Sequence, residues 1–491
     1  MNEHFYIACD LGADSGRVIL GHLKEGILTI EEIHRFSNAP TRLFGTLRWN
    51  ILGTFEELKT GLRKIAERGI QAASVSVDSW GVDYVWFNQS EPQLGMPFNY
   101  RDGRTDATFP AALAKATPEV IFEATGIQFM QLNTLYQFID DVANRPELLE
   151  IADQFLNIAD YLNYLFSGVP KNEASNASTT QMFDPRKNAW SKPLMDIFNL
   201  PERLFPEVVP SGTVLGPLRA EIAADTNLST DIQVVATCSH DTGAAVAAVP
   251  AEGEGWAYLS CGTWSLIGVE LPGALINEEV RKLNFTNEIG YNNTSRFLKN
   301  IVGLWIQQEC RRHWIKEGKQ YSYAQFDQFA SEAPSLRSLI NPNAPRFLGP
   351  NEMPAKIASF CNETGQLTPE TPGQFVRCIL ESLALLYRKS LDEIETLTGR
   401  TISTLHIVGG GSKSPLLNQF AANATGRTVI AGPVEATAIG NLLVQSLALG
   451  HIESHSALRK IVKDSFTVET FQPKDGAEWE QAFQRFLKLE S

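Results

Sequence analysis

At 491 residues, with 43% hydrophobic and 20% charged side chains, the chain exceeds what one core supports, because single cores stop growing at roughly 250 to 300 residues. Two large domains are the expectation. A formal net charge of −14 repels a polyphosphate backbone, and no run of Lys or Arg offers a counterion-release surface, which excludes nucleic acid as a partner.

The N-terminus runs through Glu3 into a strand-like segment with no basic region and apolar core of a signal peptide, and no stretch approaches the roughly 18 apolar residues of a membrane span. Cys9, Cys238, Cys261, Cys310, Cys361 and Cys378 are scattered and lack metal-ligand spacing, so they read as reduced, buried thiols of a cytoplasmic protein. In so acidic a chain a bound nucleotide has to be neutralised locally, by backbone amides and a divalent cation, which points to a magnesium-nucleotide site.

Residues 5–20 (FYIACDLGADSGRVIL) predict an apolar strand, a small-residue turn and a second strand; residues 73–87 (ASVSVDSWGVDYVWF) and 256–269 (WAYLSCGTWSLIGV) repeat the form. Helical periodicity runs through 53–68, 146–166 and 371–398. Residues 232–236 predict a strand that delivers Ser239, His240, Asp241 and Thr242 to its C-terminal end, with Asp241 at the start of a helix. The stretch VAAVPAEGEG at 246–255 combines Pro, Gly and charge and marks a boundary, giving domains 1–245 and 246–491. Beyond it, residues 404–408 predict a strand running into Gly409, Gly410 and Gly411, then an amphipathic helix over 416–424. Residues 476–489 form a last helical stretch, free to cross back to the first domain.

In the first turn, Asp10 ends a strand with a carboxylate, and Gly12, Ala13, Asp14, Ser15 and Gly16 let backbone N–H groups approach a phosphate; a plain hairpin with a capping aspartate uses the same residues. The pattern G-x-x-x-x-G-K-[ST] is absent and a strand follows the turn, so this is not the P-loop of NTPases, and the V-A-I-K and H-R-D set of protein kinases is absent too. Asp241 reads either as the general base for an alcohol or as a helix cap, and His240 as a sugar contact or a merely hydrogen-bonded ring. Trp80, Gly81 and Asp83 read as a sugar-facing turn or as buried core.

Together these segments resemble the FGGY family of carbohydrate kinases over essentially the full length. The resemblance rests on DLGADSGR (10–17), EIHRF (32–36), DSWGVDYV (78–85), YRDGRT (100–105), GIQFMQLNTLYQ (126–137), SHDTGAAV (239–246), AYLSCGTWSLIGVE (257–270), LKNIVGLWIQQ (298–308), LHIVGGGSKSPLLNQ (405–419) and AGPVEATAIGN (431–441). It implies an α/β protein of two actin-like, ribonuclease H-like domains of the hexokinase-actin superfamily with an interdomain active-site cleft. The first domain would take the sugar and the second the nucleotide.

By the same resemblance Asp241 is the catalytic base, and Gly81, Phe129, His240 and Thr242 contact the sugar. Ala13, Asp14, Ser15, Gly16, Arg17, Thr263, Asn300, Gln308, Gly410 and Gly411 line ATP, and Asp10 helps hold Mg2+ through water. One departure matters: the Asp14 carboxylate is adverse beside a phosphate, so its backbone N–H is the group that serves. The pairing of SHDT with GLW favours L-rhamnulose as the sugar, ahead of L-fuculose, xylulose or glycerol. A non-catalytic sugar and nucleotide sensor on the same fold is the alternative from another class.

Overall fold

The computed structural model describes residues 3–489. Strands β1 (Glu3–Leu11), β2 (Ser15–Lys24) and β3 (Ile27–Ser37) come first, followed by helix α1 (Ile51–Ala66), β4 (Ala72–Ser79) and β5 (Tyr84–Phe87). Then come β6 (Gln154–Asn157), α2 (Ile158–Ser167), β7 (Thr213–Pro217), β8 (Gln233–Ala236) and α3 (Asp241–Ala247). The chain continues through β9 (Trp256–Cys261), β10 (Trp264–Leu271), β11 (Thr286–Ile289), β12 (Ser295–Val302), α4 (Trp305–Lys316), α5 (Pro372–Thr398), β13 (Thr404–Val408) and α6 (Pro415–Thr425). It closes with β14 (Thr428–Ala431), α7 (Ala436–Ala448), α8 (His455–Ser465), β15 (Glu469–Phe471) and α9 (Gly476–Leu487).

One sheet orders β7-β8-β4-β1-β2-β3 and another β11-β12-β10-β9-β13-β14-β15. Aligned on the hairpins β1–β2 and β9–β10, the two follow one plan. Each hairpin is antiparallel, and the strand beside its first member, β4 or β13, runs parallel to it. The next strand, β8 or β14, is again parallel, and the outer strand, β7 or β15, is antiparallel. The duplication expected from the repeated strand-turn-strand device is therefore present in the topology. From Tyr6 to Leu11 every residue of β1 is buried, the continuous burial required of a central strand covered on both faces.

Local chemistry accounts for the helices that the periodicity predicts. In α1 the Asn50 side chain accepts Gly53 N–H at 3.1 Å, and Ile51, Phe55, Leu58, Leu62 and Ile65 recur at three- and four-residue steps and enter the first core. Thr371 caps α5, and Gly399 ends it at φ 67°.

Two expectations need correction. Residues 146–166 do not form one helix: a short helix Pro146–Ile151 gives way to β6 before α2 begins, because Phe155 and Leu156 are drawn into pairing with β5. Residues 73–87 do not form a hairpin either, since β4 pairs with β1 and β8 while β5 pairs with β6. The chain parts there because Asp83, at the turn, is fixed elsewhere. Its buried carboxylate accepts the Trp49 and Trp80 indole N–H groups at 2.6 and 3.0 Å, Tyr100 N–H at 3.1 Å and Gln137 Nε2 at 3.2 Å. Trp80 and Asp83 are thus interior residues and not a sugar platform.

By compactness the chain divides into two units. The first is the chain up to Pro250 with Glu270–Phe297 and Ala436–Ser465; the second is Ala251–Val269, Leu298–Glu435 and Phe466 onward. Besides Glu270–Phe297, the segment that returns to the first unit is thus α7 with α8. α7 lies on α3 at backbone contact: a Cβ on Gly440 would sit 1.9 Å from the Ala244 carbonyl oxygen. From the same helix Gln445 donates to the Ile7 carbonyl and accepts the Ser74 hydroxyl, and the Tyr6 hydroxyl donates to Ser446 Oγ at 3.1 Å. α9 packs within the second unit, where Trp479 meets Phe420 of α6 and Phe483 lies under the Arg388 guanidinium of α5.

In the second unit Glu381 of α5 is buried, with both oxygens accepting Leu336 N–H and Oε1 accepting Arg377 Nε at 2.7 Å. Burial outweighs those partners and pushes its carboxyl up to about 7. The folded chain therefore keeps a proton that the unfolded chain, at about 4.3, has already lost, and stability is greatest below the lower value and declines as pH rises toward the upper. We expect a loss of about 3 kcal/mol between pH 4.5 and 7 from this residue, read as a difference in urea midpoint at pH 5 and 8, which Glu381→Gln abolishes. An unchanged pH response in that variant refutes the assignment.

Candidate active site

The second half of the first unit builds its most reactive corner. β8 runs parallel to β4, and the chain leaving it bridges Ser79 to His240, with Ser79 N–H donating to the Ser239 carbonyl at 2.9 Å. α3 starts at once, from small residues that let its first turn lie close against its neighbours. Asp241 is its first residue and Thr242 the second. Asp241 Oδ1 accepts the Thr242 hydroxyl at 3.1 Å and its N–H at 2.5 Å, while His240 Nε2 lies 3.5 Å away. Asp241 Oδ2 accepts no hydrogen bond among the described residues, and the side chain is 31% exposed. It is a carboxylate held at one oxygen and open at the other.

Glu173 fixes this turn from below. It is fully buried and accepts Ser239 N–H at 2.9 Å, Ser239 Oγ at 3.0 Å, Ser211 Oγ at 2.5 Å, Ser175 N–H at 2.9 Å and the Ser175 hydroxyl. Ser175 Oγ in turn accepts His240 N–H at 3.1 Å. On the imidazole side, Arg296 Nη2 lies 3.1 Å and Glu288 Oε2 3.3 Å from His240 Nδ1.

Asp10, next to last in β1, lies in register with Arg17 on β2 and with Asp78 on β4, and its carboxylate is ion-paired with the Arg17 guanidinium. Asp78 is fully buried. Asn441 of α7 donates to its Oδ2 at 2.6 Å, and its Oδ1 has no partner. Burial first, then the neighbouring Asp10 and Asp241 carboxylates, push Asp78 well above the usual range against the pull of Asn441. Ala13 to Ser15 form the turn, in which Gly12 N–H bonds the Ser15 carbonyl at 2.9 Å and Asn38 ties down the Gly12 and Asp14 carbonyls. Asp14 is exposed. Gly16 faces inward, where a Cβ would meet the Phe36 ring at 2.2 Å.

Gly81 abuts Thr179 at the end of β4. Phe129 is half-buried, its N–H donating to Asn284 Oδ1 at 2.9 Å. The structure thus brings Asp241, His240 and Thr242 together on one turn, with Asp10 near enough to act on Asp78 alongside Asp241; no hydrogen bond links Phe129 to that turn among the described residues.

The second unit holds its own cluster. Thr263 stands in the β9–β10 turn, whose Gly262 and Thr263 carbonyls accept Leu304, Gly303 and Trp305 N–H groups, and Thr263 Oγ1 donates to Gln308 Oε1 of α4 at 3.3 Å. Gly411 backs onto the same hairpin, where a Cβ would lie 2.2 Å from Cys261 Sγ, while Gly410 is exposed with open space beside it. Asn300 lies in β12, the strand that leads to Gly303.

Reading the sequence missed five of these groups. Asp78, the one charged residue of β4, was a visible signal, as was Asn441 within AIGN. Glu288 and Arg296 flank an Asn-Asn turn, with both asparagines at positive φ, and Gly290 pairs with Thr294, a hairpin signal that sets residue 288 opposite 296. Glu173 carried no local signal.

Comparison with known proteins agrees with this geometry. Residues 5–248 match the N-terminal domain, and residues 257–449 the C-terminal domain, of the FGGY family of carbohydrate kinases. The chain belongs to the FGGY family. This FGGY kinase is 42% identical to a rhamnulokinase of Enterococcus faecalis, over 100% of this chain and 99% of that protein. It is 41% identical to a rhamnulokinase of Bacteroides thetaiotaomicron, over 99% of each. Its fold matches the crystal structure of a gluconate kinase from Lactobacillus acidophilus with a TM-score of 0.83 at 14% identity, covering 100% of this chain and 98% of that one. As an FGGY kinase it is a sugar kinase that uses ATP. Among the described residues no helix is long and apolar enough to cross a membrane, and all six cysteines are free and buried.

Proposed function

We propose that this FGGY kinase transfers the γ-phosphoryl group of ATP to O1 of L-rhamnulose, forming L-rhamnulose 1-phosphate and ADP in L-rhamnose catabolism. The observation that carries the chemistry is Asp241, a carboxylate with one oxygen tied to its own helix and the other open. Two full-length relatives above 40% identity, both rhamnulokinases, support the choice of sugar. The phosphoryl transition state is loose, so rate comes from positioning and from stabilising charge on the equatorial oxygens. As the sugar oxygen bonds phosphorus and the β–γ bridge breaks, the hydroxyl proton passes to Asp241, which His240 and Thr242 hold in place. Gly81 and Phe129 would complete the sugar contacts.

In this reading the domain of residues 1–245 takes the sugar and that of 246–491 the nucleotide. Backbone N–H groups from Ala13 to Arg17, with Thr263, Asn300, Gln308, Gly410 and Gly411, take the phosphates and adenosine. Arg17 serves through its backbone, since its guanidinium is held by Asp10.

Magnesium fits the end of this sheet. No cluster of three or more metal-ligating side chains lies among the described residues, yet the Asp10 and Asp241 carboxylates are both near enough to act on Asp78, and Mg2+ takes one or two carboxylates with waters and substrate phosphates. Asp10 would hold it through water, and bound there it would neutralise phosphate charge. The buried free thiols support a reducing compartment, the cytoplasm.

A coupled ADP-release assay across L-rhamnulose, L-fuculose, xylulose, gluconate and glycerol tests the proposal. We expect turnover with L-rhamnulose at least tenfold above the others in kcat/KM, since each methyl-sized difference in a pocket is worth about 1 to 3 kcal/mol. Preference for another sugar overturns the substrate, and no turnover with any overturns the kinase reading.

A further inference from the structure

We propose that Arg296 and Glu288 are positioning residues that fix which nitrogen of His240 carries its proton, leaving Nε2–H directed at Asp241 and the sugar. The proposal rests on the kinase reading above and names the device behind its sugar-side histidine.

Two groups meet at one ring nitrogen. Arg296 Nη2 is 3.1 Å from His240 Nδ1, and Glu288 Oε2 is 3.3 Å from the same atom. They demand opposite things. A carboxylate alone at Nδ1 draws the proton there, whereas a guanidinium has only donors and stays charged at any ordinary pH, so a bond from it needs a bare lone pair on Nδ1.

The geometry decides between them. Arg296 Nη2 is 3.1 Å from both Nδ1 and Glu288 Oε2, but its N–H is aligned with the nitrogen only; buried Glu288 Oε2 accepts no hydrogen bond from either neighbour. Arg296 is fully buried and anchored by its Nε donating to the Ile289 carbonyl at 3.2 Å, so the fork cannot swing away. Glu288 supplies the counter-charge that lets a guanidinium remain in a dry interior. Although burial raises Glu288, the Arg296 charge and His240 bring it below the usual carboxylate range.

With Nδ1 occupied as an acceptor, the single proton of the neutral ring resides on Nε2, 3.5 Å from Asp241 Oδ1. That proton steadies the carboxylate in the orientation that leaves Oδ2 for the alcohol. The other tautomer would set a lone pair against Asp241 and push the carboxylate off. Further acids around this turn are Glu173, behind Ser239, Asp160, which faces both Ser239 and Glu173, and Asp78, which senses Asp241.

Nitrogen-15 NMR on full-length protein labelled at histidine, at pH 8 where a neutral ring is the reference, reads the tautomer directly; His240→Gln identifies the signal among the eight histidines. We expect Nδ1 unprotonated and Nε2 protonated in the wild type and in Glu288→Gln, which keeps the guanidinium donor. In Arg296→Met the proton moves to Nδ1, facing Glu288. The kcat for L-rhamnulose then falls about 10- to 100-fold while KM for ATP stays within twofold.

A wild-type His240 protonated on Nδ1 overturns the proposal. So does an Arg296→Met protein that folds with unchanged tautomer or kcat. Should Arg296→Met not fold, the wild-type and Glu288→Gln spectra decide alone. Failure of the kinase reading appears separately, as no ketose turnover in the wild type whatever the tautomer.

Discussion

Asp241→Asn is expected to lower kcat by about 10²- to 10⁴-fold, on the order of 3 to 5 kcal/mol of transition-state stabilisation, with ATP affinity retained. The substitution keeps the side-chain volume and an acceptor for Thr242 N–H, so the start of α3 stays in place. What it removes is the open anionic oxygen. An amide, unlike a carboxylate, cannot take up the alcohol proton as the phosphorus–oxygen bond forms. Rapid-quench measurement of sugar phosphate, with nucleotide affinity measured by calorimetry on the same preparation, separates chemistry from binding. A variant that phosphorylates sugar at the wild-type rate removes Asp241 from the mechanism.

The largest stability effect is expected at Glu173. Replacing it with Leu leaves three serine hydroxyls and two backbone N–H groups, all but the Ser211 hydroxyl buried, without their acceptor. Breaking a buried charged network in this way costs about 3 to 5 kcal/mol. Glu173→Gln keeps one acceptor oxygen and should lose less. Since the same carboxylate ties Ser239 and, through Ser175, His240, the Gln variant should also show a lower kcat even where it remains folded. Urea unfolding of both variants at pH 7.5 is the measurement. A Leu variant with the wild-type midpoint shows that the network contributes nothing.

The two glycine hairpins and the helix begun by Asp241 were legible because each is a local event: strand, small-residue turn and strand within about 15 residues, or strand followed by a cap and small residues. The helix Pro372–Thr398 was legible for the same reason, its period being sustained over 27 residues. Residues 146–166 were misread since the pull of β5 on Phe155 and Leu156 lies 70 residues upstream and outweighs helical periodicity. DSWGVD was misread as a turn between paired strands because the partners of Asp83, Trp49 and Gln137 among them, stand far away in sequence.

The site shows the same division. Asp241 and His240 lie in a motif that declares itself, whereas Glu173, Glu288, Arg296 and Asp78 act only through neighbours that the fold supplies. Of these, Asp78 stood within reach of sequence reasoning as the one charged residue of β4, and Glu288 and Arg296 through the register of an Asn-Asn hairpin.

Because α7 and α8 belong to the first unit, that unit is not finished when Pro250 leaves the ribosome. At about 5 to 20 residues per second, the interval before Ser465 has been added lasts about 10 to 40 seconds. Throughout it Asp78 lacks Asn441, the Tyr6 hydroxyl lacks Ser446, and the side of β1 that α7 covers faces solvent. The nascent chain therefore carries an open sheet face while β9 to β14 of the second sheet are being synthesised.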